Sequence, residues 1–191
     1  HPGAKPVFDL DSVSLLHTAA TLEKGYDLAG NELVGEPPKF AKGAVVSPIS
    51  DSVDAQLAKM ERKVMAGADY FQTQAVFESE KFIQFMERAK QFGVPVQLGV
   101  IIPKNAGMCK FMNRNVAGVH VPQHMIDRLE AAAAEGKEKG VKGLPMKLGM
   151  EMAAEMIAQI KDQKLCDGVH IMAIGAEKNV PKILDLAGLS I

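Results

Sequence analysis

The stretch KMERKVMAGADYFQTQAVF, Lys59 to Phe77, decides the fold. Val53, Leu57, Met60 and Val64 recur at i, i+4, i+7 and i+11, which is one face of an amphipathic helix, and Ser50 or Asp51 is placed to cap its start. Gly67 ends that helix, because only glycine enters the left-handed conformation without steric cost. Tyr70 to Thr73 is short and rich in aromatic and β-branched residues, so it reads as a strand buried against helices. Gln74 at its far end then points into a loop-built pocket.

The same alternation continues on both sides. Upstream, a helix capped by Asp9 or Asp11 runs to about Lys24, a turn-rich loop carries Gly30-Asn31 and Pro37-Pro38, and Gly43 to Ser47 reads as a strand. Downstream, Glu78 or Ser79 starts a helix with Phe82, Ile83, Met86 and Ala89 inward, and Gly93 and Pro95 introduce a strand over Val96 to Ile101. A short helical piece around Cys109 to Asn113, a helix from Gln123 to about Lys139 and another opened by Pro145 follow. Gly168 to Ala173 is the last strand, and a closing helix spans Glu177 to Ala187.

Strands and helices in alternation, with nearly continuous apolar strands, mean parallel βαβ units. Neither GxGxxG nor GxxxxGK[ST] occurs, which argues against a doubly wound nucleotide-binding sheet. A (β/α)8 barrel needs about 250 residues. The chain has 191, so its four strands are expected to be the last four βα units of such a barrel, residues 1–191 forming the C-terminal half of a single domain. The start at His1-Pro2-Gly3, without Met, fits a chain whose N-terminal half is absent.

Composition narrows the partners. Hydrophobic residues at 47% and charged residues at 24% are those of a soluble globular protein, and the formal net charge of −1 offers no general attraction to nucleic acid or anionic membrane. No apolar run approaches the length of a membrane span. Cys109 and Cys166 are far apart and in no CxxC pattern, so a reducing cytoplasm is expected, with neither disulfide framework nor metal site. A half barrel exposes strand edges, so pairing with a second copy or a partner chain is expected.

Barrel chemistry sits in the loops after the strand C-termini, which here hold Ser47, Gln74, Lys104 to Met108 and Gly175 to Glu177. Gln74 carries both an amide donor and an acceptor and suits the edge of a flat heterocycle; a Gln bonded to a neighbouring backbone is the plainer alternative. Arg62 and Lys63 near the helix C-terminus read as a solvated, dipole-favoured pair or as a phosphate-binding fork and point charge. His120 and His170 lie in the apolar settings Val-His-Val and Val-His-Ile. His170 could serve as an acid or base inside a barrel, but a satisfied core histidine is the simpler reading. Cys109 has no paired base and reads as a small buried residue.

The run KMERKVMAGADYFQTQAVFESEKF, with GVIIPKNAGMCKFMN, VAGVHVP, GVHIMAIG, KPVFDLDSVSLL, GNEL and GAVVSP, closely resembles the 5,10-methylenetetrahydrofolate reductase family along essentially the whole chain. The resemblance implies a (β/α)8 barrel holding FAD, in which reduced flavin passes hydride to methylenetetrahydrofolate to give 5-methyltetrahydrofolate. Residue by residue it implies folate contact for Gln74, FAD phosphate contact for Arg62 and Lys63, and stacking near the flavin for Phe111. The family's general acid, a glutamate of the first strand, and the aspartate that tunes the flavin have no counterpart here, so catalysis is expected only of a longer parent. Ala173-Ile174-Gly175-Ala176 stands where many members carry Thr-Leu-Asn-Arg. That ending resembles a branch from folate-pathway anaerobes, which leaves NAD(P)H or a partner iron–sulfur subunit as electron donor. The rival reading is a non-catalytic half barrel that acts as a binding or scaffold module. A third, an unrelated barrel, would need Gly99 and Gly175 to form an anion-binding turn.

Overall fold

The computed structural model describes residues 9–189, so Lys5 to Phe8 of the first matched motif lie outside them. Four strands, β1 (Gly43–Val46), β2 (Tyr70–Thr73), β3 (Val96–Ile101) and β4 (Gly168–Met172), form one parallel sheet in the order β1-β2-β3-β4. Each lies next to its successor in sequence, as neighbouring staves do in a (β/α)8 barrel, and helices connect them on the outer face. The helices are α1 (Ser12–Glu23), α2 (Val53–Met65), α3 (Ser79–Ala89), α4 (Ala106–Asn115), α5 (Gln123–Glu138), α6 (Leu144–Gln163) and α7 (Val180–Leu186).

Local chemistry explains the boundaries. Asp11 caps α1 by accepting from the backbone N–H groups of Val13 and Ser14, at 3.0 and 2.8 Å. The α2 cap is Ser52, one residue beyond the expected Ser50 or Asp51; its hydroxyl accepts from Ala55 N–H at 3.3 Å. The third residue past the cap is what a short hydroxyl side chain reaches, and this fixes the register. Gly67 takes φ +102 after α2, as its position requires. The helix expected around Cys109 is longer, ten residues, because Asn105 caps it through Met108 N–H at 2.8 Å.

Apolar faces divide between two cores. The main one lies between sheet and helices and fully buries Phe71, Phe82, Phe85, Leu98, Ile157 and Ile160. Each such side chain contributes about 1.5–3 kcal/mol relative to exposure. The second core, around Ala75, Ile101, Cys109, Val121, Leu129 and Met152, sits under α4 and α5 at the C-terminal end of the sheet. It anchors the α4–α5 connection, residues 116–122, beside the loop that follows β2. At the opposite end Lys42 pairs with Glu23 at 2.8 Å and Asp69 at 3.2 Å, tying α1 to the entries of β1 and β2.

Candidate functional site

β2 ends early, and this places Gln74. The regular register with β3 stops at Gln72 opposite Gln97. Beyond it Gly99 N–H donates to the hydroxyl of Thr73, at 2.8 Å, while that hydroxyl donates to the Gln74 carbonyl at 2.9 Å. A side chain thus substitutes for a ladder carbonyl where the regular pairing ends, and Val76 N–H meets β3 again at the Gly99 carbonyl, at 2.9 Å. Gln74 N–H is taken by Val46 of β1 at 2.8 Å. Its backbone is therefore fixed on both sides, whereas its half-buried side-chain amide forms no hydrogen bond among the described residues.

The surroundings of that amide are close and small. Gly118, at φ +77, brings its backbone beside Ser47 and Gln74; an added Cβ there would lie 3.2 Å from Ser47 Oγ and 3.8 Å from Gln74 Cγ. The inner face of the sheet below is polar for a barrel wall. Gln72 donates to Gln97 across β2 and β3 at 3.0 Å, and His170 lies opposite Gly99 on β4. His170 is half-buried and, among the described residues, unpartnered, so it is not the satisfied core histidine expected from its apolar neighbours. The strand alternation turns it inward, away from the apolar side chains that flank it in sequence.

Other expected residues are placed as follows. Lys63 turns to the free edge of β1, where its ammonium donates to the Val45 carbonyl at 2.6 Å. Half-burial, with Lys59 nearby, pulls its pKa down. It borders a groove with Leu15, Phe40 and Val45. Arg62 faces a different groove, toward Asp11 and His17 of α1, so the two adjacent cations diverge. Phe111 stands exposed on α4, opposite the buried Cys109 and Met112. Burial pushes the Cys109 thiol up to about 11, which leaves it a packing residue.

Three features escaped the sequence reading. His120 is not in the core: it pairs with Glu78 at 2.9 Å, and Glu78 also meets Lys81 at 2.8 Å. Burial raises the Glu78 pKa, but Lys81 and His120 outweigh it and hold the carboxyl below its ordinary value. Lys104 reaches across to the Ile174 carbonyl at 2.5 Å, joining the loops after β3 and β4. Ile174 itself has φ +47, a costly conformation for a β-branched residue. Gly99 and Gly175 form no common anion-binding turn, since Gly99 is packed within β3 and Gly175 N–H donates to Glu177 at 2.8 Å. Among the described residues there is no cluster of metal-ligating side chains, and no helix is long and apolar enough to cross a membrane.

Comparison with known proteins agrees with this geometry. Residues 40–188 match the family model described as methylenetetrahydrofolate reductase. Methylenetetrahydrofolate reductase 1 of Schizosaccharomyces pombe is 27% identical over 141 residues, 73% of this chain and 22% of that protein. A probable methylenetetrahydrofolate reductase (NADPH) of Caenorhabditis elegans is 26% identical over 144 residues, 74% of this chain and 21% of that protein. The chain thus spans about a fifth of the length of these relatives. A solved Clostridium thermocellum protein that binds two copies of 5-methyl-5,6,7,8-tetrahydrofolic acid shares the fold, with TM-score 0.54 and 14% identity over 76% of this chain and 51% of that one. With the family model matched over more than half its length, and four successive parallel βα units bearing Gln74 at a strand end, the chain belongs to the methylenetetrahydrofolate reductase family.

Proposed function

We propose that these residues supply the C-terminal half of one (β/α)8 barrel in a cytoplasmic enzyme that reduces 5,10-methylenetetrahydrofolate to 5-methyltetrahydrofolate. The observation that carries this reading, beside the family match, is Gln74. Its amide is free among the described residues, its backbone is fixed on both sides, and it stands at a strand C-terminus, where barrels place substrate. One amide offers donor and acceptor together, which matches the edge of a pterin. Gly118 sets no side chain against it.

On this reading Arg62 and Lys63 of the last turn of α2 are the residues that would hold the FAD phosphates, each from its own side, since they open onto separate grooves. Arg62 is a fork and Lys63 a point charge, and Lys63 borders a groove between α1 and β1. Bound FAD would supply the hydride-carrying ring between a nicotinamide donor and the folate. A nicotinamide is favoured over an iron–sulfur subunit by the name of the C. elegans relative. In this chain Gln74 orients the pterin, Lys63 exchanges its bond to Val45 for a phosphate oxygen, and the exposed ring of Phe111 is available to stack on an arriving aromatic ligand. On this reading the proton for folate N10 comes from outside residues 1–191, as the family resemblance implies. Glu78, in the same loop, is engaged by Lys81 and His120.

The test is the visible spectrum of the full-length protein, read beside its intact mass and its reductase activity. A bound-flavin spectrum that bleaches on reduction and returns on adding methylenetetrahydrofolate supports the enzyme. A colourless protein that takes up no added FAD supports the scaffold module instead.

A further inference from the structure

Thr73 is fully packed yet polar, 3% exposed, and it stands alone among the described residues as a buried polar side chain. Its hydroxyl uses both of its capacities. It accepts the Gly99 N–H that a regular parallel ladder would give to a strand carbonyl, and it donates to the carbonyl of the next residue, Gln74. Here the two bonds link the middle of β3 to the backbone of the residue proposed to meet the folate.

The carbonyl of Gln74 has one hydrogen-bond donor among the described residues, the Thr73 hydroxyl. The ladder between β2 and β3 ends at Gln72, so beyond it no regular strand bond from β3 supports Gln74. Val46 fixes the Gln74 N–H from the β1 side, and two residues on Val76 N–H returns to the Gly99 carbonyl of β3 at 2.9 Å; between these anchors the peptide that carries the Gln74 carbonyl is held, among the described residues, by the Thr73 hydroxyl. Gly99 completes the arrangement: a Cβ at that position would lie 2.2 Å from the Thr73 carbonyl oxygen, so only glycine lets β3 come this close. The side chain that benefits is the Gln74 amide, which forms no hydrogen bond of its own among the described residues.

We infer that Thr73 is a positioning residue for folate recognition: its hydroxyl, held by Gly99 N–H, sets the orientation of the Gln74 peptide and so aims the Gln74 amide. The inference rests on the proposed folate role of Gln74. It assigns to Thr73 a share of substrate affinity without any contact to substrate.

The experiment is calorimetric binding of 5-methyltetrahydrofolate to the full-length protein, in Thr73→Val, Thr73→Ser, Gln74→Ala and Thr73→Val/Gln74→Ala, with thermal melting of each. The expected result is about a tenfold weaker Kd for Thr73→Val and near-normal affinity for Thr73→Ser, which keeps the hydroxyl. The double variant should bind no more weakly than Gln74→Ala alone, because Thr73 acts only through Gln74. A Thr73→Val Kd within twofold of the parent overturns the inference. So does a double variant that shows the product of the two losses, which is what independent structural damage would give. Gln74→Ala binding folate normally overturns the folate role of Gln74 itself, a separate outcome. Should Thr73→Val not fold, Thr73→Cys, similar in size but a weaker donor, is read in the same way.

Discussion

The Lys63 ammonium donates to the Val45 carbonyl at 2.6 Å, on the side of β1 that faces away from β2. The next carbonyl along, that of Val46, faces β2 and receives Gln74 N–H. The C-terminal end of β1 thus has the proposed phosphate ligand on one edge and the proposed folate ligand on the other. Lys63→Met keeps the methylene stem and loses the charge. The fold should survive, with a cost of about 1 kcal/mol for the lost bond. Flavin affinity, measured by fluorescence titration of the full-length protein, should fall at least tenfold. Unchanged affinity would leave Lys63 as a guard of the strand edge and nothing more.

Glycines packed against carbonyl oxygens should be intolerant of any side chain. A Cβ on Gly99 would lie 2.2 Å from the Thr73 oxygen, and one on Gly149 would lie 2.1 Å from that of Pro103. Backbone cannot yield as a flexible side chain does. Gly99→Ala and Gly149→Ala are each expected to lose about 3 kcal/mol or more in urea unfolding. Gly107→Ala, whose Cβ would meet only the Asn105 side chain at 3.2 Å, is expected to lose far less. Equal losses at the three sites would contradict this ranking.

The Glu78 contacts give a pH-dependent contribution. Lys81 and His120 hold the carboxyl below its ordinary value against the opposing effect of burial. The folded pKa is lower than the unfolded one, so this stabilisation is full above the ordinary glutamate range and is lost as pH falls through the folded pKa. Glu78→Gln should therefore destabilise by about 0.5–1 kcal/mol at neutral pH and by much less below pH of about 4. Melting curves across that range read it, and a constant difference would contradict the assignment.

Cys109 offers a check on the second core. It is fully buried and its thiol is pushed up to about 11, so thiolate is scarce at neutral pH. Alkylation followed by mass spectrometry should label Cys166, which is only partly buried, before Cys109. Labelling of Cys109 should track unfolding. Faster reaction at Cys109 would mean that α4 opens readily.

Much of this was legible because local rules and tertiary packing agree here. Val53, Leu57, Met60 and Val64 announce α2, Gly67 ends it, and the apolar runs at 43–46, 70–73, 96–101 and 168–172 leave little choice but parallel βα units. The position of Gln74 followed from β2 alone. What was not legible depends on long-range geometry. Nothing in Val-His-Val shows that the α4–α5 connection turns His120 outward to Glu78, forty-two residues away. The divergence of Arg62 and Lys63 needs the docking of α1, and the double use of the Thr73 hydroxyl needs the early end of the ladder.

The most direct test of the folate site is Gln74→Ala in the full-length protein, with KM for methylenetetrahydrofolate and affinity for FAD measured on the same preparation. KM is expected to rise about tenfold or more, since a buried polar edge of the substrate loses its partner, while FAD binding changes less than about twofold. A folate KM that does not move, or an equal loss of FAD, would contradict it.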